Sequence, residues 1–123
     1  MIWSENAHVC TEDEYNCAQQ DGNADMIASG VRFIGNNFLW TKGYRIENYM
    51  NHSTTPNLLY HCGVCFALRD ITAGEELTVN YSYLLSEDDD QSFTCAAAGR
   101  SIKGLSARQS LRETTAMLLN ILD

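Results

Sequence analysis

At 123 residues, 45% of them hydrophobic, the chain is long enough for one domain with a modest core and too apolar to be disordered. Eight basic residues against sixteen acidic ones leave a net charge of −8, which argues against binding the phosphates of nucleic acid. The same acidity suits a basic protein or peptide, or serves solubility alone.

The longest apolar runs, such as residues 64–68, are far too short to cross a bilayer, so no membrane partner is expected. Met1-Ile2-Trp3-Ser4-Glu5 has no basic n-region and no apolar h-region, and five cysteines, an odd number, argue against a complete disulfide framework. Both point to an intracellular protein, cytoplasmic or nuclear.

Along the chain, Thr11-Glu12-Asp13-Glu14 reads as a capping box that opens a helix over 12–20, ended by Asp21-Gly22-Asn23. Residues 31–34 and 38–40, joined by Gly35-Asn36-Asn37, form a hairpin, and 44–50 is a short helical or irregular passage. A second hairpin pairs 58–60 with 64–68 around His61-Cys62-Gly63; 70–75 is a turn and 77–83 a strand. Residues 86–90 are an acidic surface loop. A terminal helix over 106–122 places Leu111, Leu118, Ile121 and Leu122 at helical spacing. With no internal repeat and no linker, residues 1–123 are expected to be a single domain of many short strands with helices at both ends.

Two stretches carry chemistry: Asn51-His52-Ser53-Thr54-Thr55-Pro56-Asn57, and Ala67-Leu68-Arg69-Asp70-Ile71-Thr72-Ala73-Gly74-Glu75-Glu76-Leu77 leading to Tyr81. Pro56-Asn57 is ordinary turn chemistry, and Gly74 supplies a tight turn where φ can be positive. Glu75 and Glu76 are adjacent, so on a strand they point to opposite faces. A salt bridge and a solvated charge are therefore expected rather than an acid/base pair. Taken alone, Tyr81 reads as one of several strand aromatics in a core.

In this order, the two stretches resemble the C-terminal half of the SET domain, the fold of protein-lysine methyltransferases that use S-adenosylmethionine. The resemblance is close over residues 49–82, where the second stretch follows the family's "A-x-R-D-I-x-x-G-E-E-L". It implies an α+β fold, mostly β, of several small sheets with a knot-like threading of the Asn-His segment and a C-terminal helix. It also implies transfer of a methyl group to a lysine of a basic protein, such as a histone. Asn51, through its side chain, and His52, through its backbone, would contact the amino-acid end of S-adenosylmethionine, and Tyr81 would be the catalytic tyrosine. Tyr49, Tyr83 and Phe93 are candidates for the walls of the lysine channel, each equally readable as packing.

The sequence also departs from the family. Gly22, Gly30, Gly35 and Gly43 never give the family's early Gly-x-Gly, so its N-terminal cofactor strands are expected to be missing. Thr54 stands where the family often has a zinc-binding cysteine, and residues 91–123 look like a degenerate zinc tail followed by a helix. Only Cys95 of that tail survives, and one thiolate cannot hold zinc, so no metal is expected. Cys62-x-x-Cys65 lacks a second pair among Cys10, Cys17 and Cys95, and His8 reads as a surface residue.

The alternative reading is a non-catalytic module, or a truncated fragment, that binds a basic peptide. Missing strands would leave a sheet edge open to a second copy.

Overall fold

The computed structural model describes residues 7–43, 49–88, 94–95 and 100–123. Three antiparallel strands come first: β1 (His8–Thr11) and β2 (Val31–Arg32) flank β3 (Asn37–Trp40), with Val9 and Val31 both registered on Leu39. The predicted hairpin is thus β2–β3. β1, which local pattern did not reveal, is an edge strand, with three of its four residues exposed.

α1 (Glu12–Gln20) starts where the capping box places it: Glu14 N–H donates to Thr11 Oγ1 (3.1 Å) and Thr11 N–H to Glu14 Oε2 (3.3 Å). Its acidic first turn complements the positive end of the helix dipole. A second short helix, α2 (Ala24–Ser29), follows at once, because the Asn23 that ends one helix also caps the next, its Oδ1 accepting from Met26 N–H (3.2 Å). Tyr15 of α1 stacks on Phe38, ring centroids 4.5 Å apart, and with Cys10 and Met26 forms a small core.

The second predicted hairpin is β5 (Leu58–His61) with β6 (Val64–Ala67). Cys62 and Gly63 close it, both with positive φ (48° and 84°), the conformation of a two-residue type I′ turn. Between β3 and β5 lies β4 (Asn51–His52), which pairs in parallel with β7 (Thr78–Val79), so the hairpin sits inside the closed segment. The strand expected over 77–83 is only β7. At Asn80 the side chain accepts from Ser82 N–H (3.0 Å) and turns the chain into a single 3-10 turn, Tyr81–Tyr83. The main core gathers Val31, Leu39, Met50, Leu58, Tyr60, Cys65, Val79 and Leu84, with Tyr81 and Tyr83 at its margin. Ser86, expected in a surface loop, is fully buried, whereas Glu87 and Asp88 are exposed.

Among the described residues one charge lies inside. Arg32, 3% exposed, pairs with Glu12 (2.8 Å), donates to the carbonyls of Gly35 (3.2 Å) and Leu105 (3.0 Å), and covers the Phe38 ring. A buried guanidinium is tolerable only when partnered in this way. Tyr60 OH donates to the Arg32 carbonyl, and Arg32 N–H to that of Leu84 (2.8 Å).

After the short pair β8 (Thr94–Cys95) and β9 (Arg100–Ser101), residues 102–105 run back along 82–86, and α3 (Ala107–Leu122) closes the chain, capped by Ser106. α3 packs on β5 and the 3-10 turn. Its buried face is polar, Ser110 and Thr114, whereas Leu111 and Leu122 of the predicted apolar stripe are 43% and 73% exposed. Hydrogen bonding, rather than a leucine seam, fixes this helix. Thr114 gives its one proton to the Ser110 carbonyl (2.9 Å), so His61 Nδ1 donates to Thr114 Oγ1 (2.9 Å). Among the described residues no helix is long and apolar enough to cross a membrane.

Candidate functional site

The site is built where β4 meets β7. Asn57 makes the join: 2% exposed, it accepts from Thr78 N–H through Oδ1 (2.9 Å) and donates through Nδ2 to the Glu76 carbonyl (2.7 Å) and Glu75 Oε1 (3.4 Å). Nothing in the local pattern ranks Asn57 above a turn residue. The available signal was its chemistry, since an asparagine can mimic a strand by bonding two main-chain groups at once. The loop before β7 is clamped by Arg69, which pairs with Glu75, while Glu75 also accepts from Thr72 N–H (3.1 Å). Its hydrogen bond to Arg69, and then that from Thr72, hold the Glu75 carboxyl down to about 2. The expected division holds: Glu75 is salt-bridged, and the exposed Glu76 carries its charge at the surface.

Parallel pairing decides which groups of the Asn-His segment face outward. Ser53 N–H donates to the Val79 carbonyl (3.0 Å). Along a parallel strand, successive residues send their N–H and C=O to alternate sides. Asn51 and Ser53 therefore bond toward β7, and the His52 N–H and C=O point to the open edge, where neither has a partner among the described residues. The exposed Asn51 side chain donates from Nδ2 to Glu76 Oε1 (2.6 Å), leaving its carbonyl oxygen available.

Tyr81 is fixed at both ends by the same segment. Its N–H donates to His52 Nδ1 (3.0 Å), its hydroxyl donates to the Met50 carbonyl (2.6 Å), and its ring lies 5.3 Å from the imidazole. As acceptor at Nδ1, His52 is neutral with its proton on Nε2. Burial agrees with this, lowering the His52 pKa and raising that of the Tyr81 phenol. Asn51, His52 and Tyr81 are thus brought together.

The channel candidates are not gathered in the same way. Tyr83 faces α3, where its hydroxyl donates to Glu113 Oε1 (3.3 Å) and lies 3.7 Å from Met117 Sδ. Tyr49 is 70% exposed beside the segment, and Phe93 lies outside the described residues. Among the described residues no group of three or more His, Cys, Asp or Glu could hold a metal ion. The Cys62 thiol is pushed up by burial, and Cys65 is buried in the core. His8 is exposed, its ring tilted 35° against that of Trp40 with centroids 4.7 Å apart.

The family model described as "SET domain" matches residues 3–82. Among curated proteins the chain is similar to "Histone-lysine N-methyltransferase, H3 lysine-4 specific" of Saccharomyces cerevisiae, 35% identical over 72 residues, covering 52% of this chain and 7% of that protein. It is also similar to "Variant-silencing SET domain-containing protein" of Plasmodium falciparum, 47% identical over 47 residues, covering 31% of this chain and 2% of that one. The chain therefore spans only a small fraction of the length of either relative. No solved structure matches it.

Proposed function

The chain belongs to the SET-domain family, and from that premise we propose that it forms the cofactor-facing and lysine-facing part of a protein-lysine methyltransferase whose methyl donor is S-adenosylmethionine. The observation that carries this reading is the clamp of Tyr81 by Met50 and His52 beside the outward-facing main chain of His52.

The groups on hand suit the amino-acid end of such a donor. The Asn51 carbonyl oxygen would accept from an ammonium, the His52 N–H would donate to a carboxylate, and the Glu76 carboxylate adds negative charge beside a cationic ligand. When bound, S-adenosylmethionine supplies a methyl group on a positively charged sulfur. Tyr81, a phenol whose pKa burial raises further and whose proton is committed to Met50, would act toward a lysine amine only as an acceptor, orienting the amine for in-line attack. Tyr83 would share its channel wall with Glu113 and Met117, Tyr49 would sit at the rim, and Phe93 is proposed by resemblance alone.

The net charge of −8 favours a basic substrate protein. The yeast relative is named for lysine 4 of histone H3, so an H3 amino-terminal peptide is the first substrate to try. Such a substrate implies an intracellular, cytoplasmic or nuclear, setting. A second reading, a non-catalytic module that binds a basic peptide, is favoured by the glycines: none of the eight is spaced as Gly-x-Gly.

Calorimetric titration with S-adenosylhomocysteine separates the two. Binding in the micromolar range, about −8 kcal/mol or tighter, supports the enzyme. A folded chain that gives no binding overturns it in favour of the module.

A further inference from the structure

We propose that two copies of this chain associate by antiparallel pairing of their α3 helices. α3 turns a polar face inward and leaves leucines outside: Leu111, Leu119 and Leu122 are 43%, 56% and 73% exposed, and Leu118 is half-buried. Leu111, Thr115, Leu118 and Leu122 follow one another at intervals of four, three and four, the a/d spacing of a coiled-coil seam. At about 100° per residue they lie within roughly 60° of arc, on the flank beside the buried face.

The seam complements itself. A twofold axis between Thr115 and Leu118 sets Leu111 against the partner's Leu122 and Thr115 against the partner's Leu118. The stem of Arg112 then lies along the partner's Leu119. Exposed Arg108, one turn before Leu111, comes to the partner's Asp123 and to the negative end of that helix.

Charge on the helix itself is compatible with the same occupant. Residues 107–123 hold two basic residues, Arg108 and Arg112, and two acidic ones, Glu113 and Asp123, so helix meets helix without net repulsion. The chain's net charge of −8 repels an anionic membrane, and a helix without net charge does not offset that. An acidic peptide would satisfy the arginines, but would leave the matched leucine register without a cause. The 16 residues of α3 span only about 24 Å, short of the ~1,200 Å² that a stable interface buries. Association is therefore weak, with a dissociation constant on the order of 10–100 μM.

Sedimentation equilibrium of the 123-residue chain across that concentration range tests the pairing. A monomer–dimer equilibrium is expected. Leu122→Glu and Leu119→Lys, both at exposed positions and checked for folding by circular dichroism, should each weaken it tenfold or more. Arg108→Glu and Asp123→Arg should each weaken it, and the double variant should recover most of the loss. A dimer indifferent to Leu122→Glu overturns the proposal in favour of another surface, such as the β1 edge. A chain that stays monomeric overturns it outright, whether or not it binds anionic vesicles or an acidic leucine-bearing peptide.

Discussion

Replacing Asn57 by alanine tests the join on which the site depends. The truncation strands Thr78 N–H and the Glu76 carbonyl, which the carboxamide holds at 2.9 and 2.7 Å, and it opens a gap at a position only 2% exposed. A buried amide left without a partner costs about 1–3 kcal/mol. Thr78 is half-buried and its N–H is turned away from β4, so it bears most of that cost. Glu76 is exposed and its carbonyl can regain water, which puts it at the low end. The total loss is about 2–4 kcal/mol. With a urea dependence of about 1.5 kcal/mol per molar, the unfolding midpoint falls by about 1.3–2.7 M. Asn57→Asp is the sharper control. It keeps an acceptor for Thr78 but aims a carboxylate oxygen at the Glu76 carbonyl and at Glu75, so it should be destabilised as well. A loss below about 0.5 kcal/mol for Asn57→Ala would mean that the β4–β7 pairing does not depend on this side chain.

Three further outcomes can be measured. Tyr81→Phe removes the hydrogen bond to Met50 and should cost about 1 kcal/mol of stability while leaving S-adenosylhomocysteine affinity unchanged. Methyl transfer to a peptide should fall on the order of a hundredfold, and unchanged turnover removes Tyr81 from the chemistry. His52 and His61 both have pKa values lowered by burial, so the unfolded chain binds their protons first as pH falls. Their contribution to stability is complete above about pH 6.5 and is lost progressively below it; equal urea midpoints at pH 7.5 and 5.5 would contradict this. At Gly104, an added Cβ would overlap the carbonyl oxygens of Ser86 and Leu85, so Gly104→Ala should lift residues 102–105 off Tyr81 and lower the melting temperature by several degrees. A variant that melts like wild type would mean that this segment is loosely held.

What was legible in the sequence is what short-range chemistry dictates. The Thr11–Glu14 box fixed the start of α1, Gly63 marked the second hairpin, and Ser106 caps the terminal helix where the pattern began. β1 and β4 were illegible because each gains its strand character from a distant partner, Trp40 or Thr78, which no local period encodes. α2 was hidden because Asn23 serves two helices at once. Within the site, the motif pointed to Asn51, His52 and Tyr81. The phenol's acceptor is a main-chain carbonyl, Met50, which side-chain identity cannot announce. The leucines of α3 misled because their spacing is a true helical period, but one that faces away from this core.

Arg32 gives the molecule a long-range mechanical linkage. One guanidinium grips Glu12, the first residue of the first helix, and the Leu105 carbonyl ahead of the last, while its own residue's amide holds Leu84. Loosening at either end should therefore be felt at the other. Cleavage within α1 should speed amide hydrogen exchange at Leu105, whose N–H donates to the Ser82 carbonyl (3.1 Å) in the turn that carries Tyr81. A protease nick in a helix that ends at Gln20 would thereby reach Tyr81, far along the sequence.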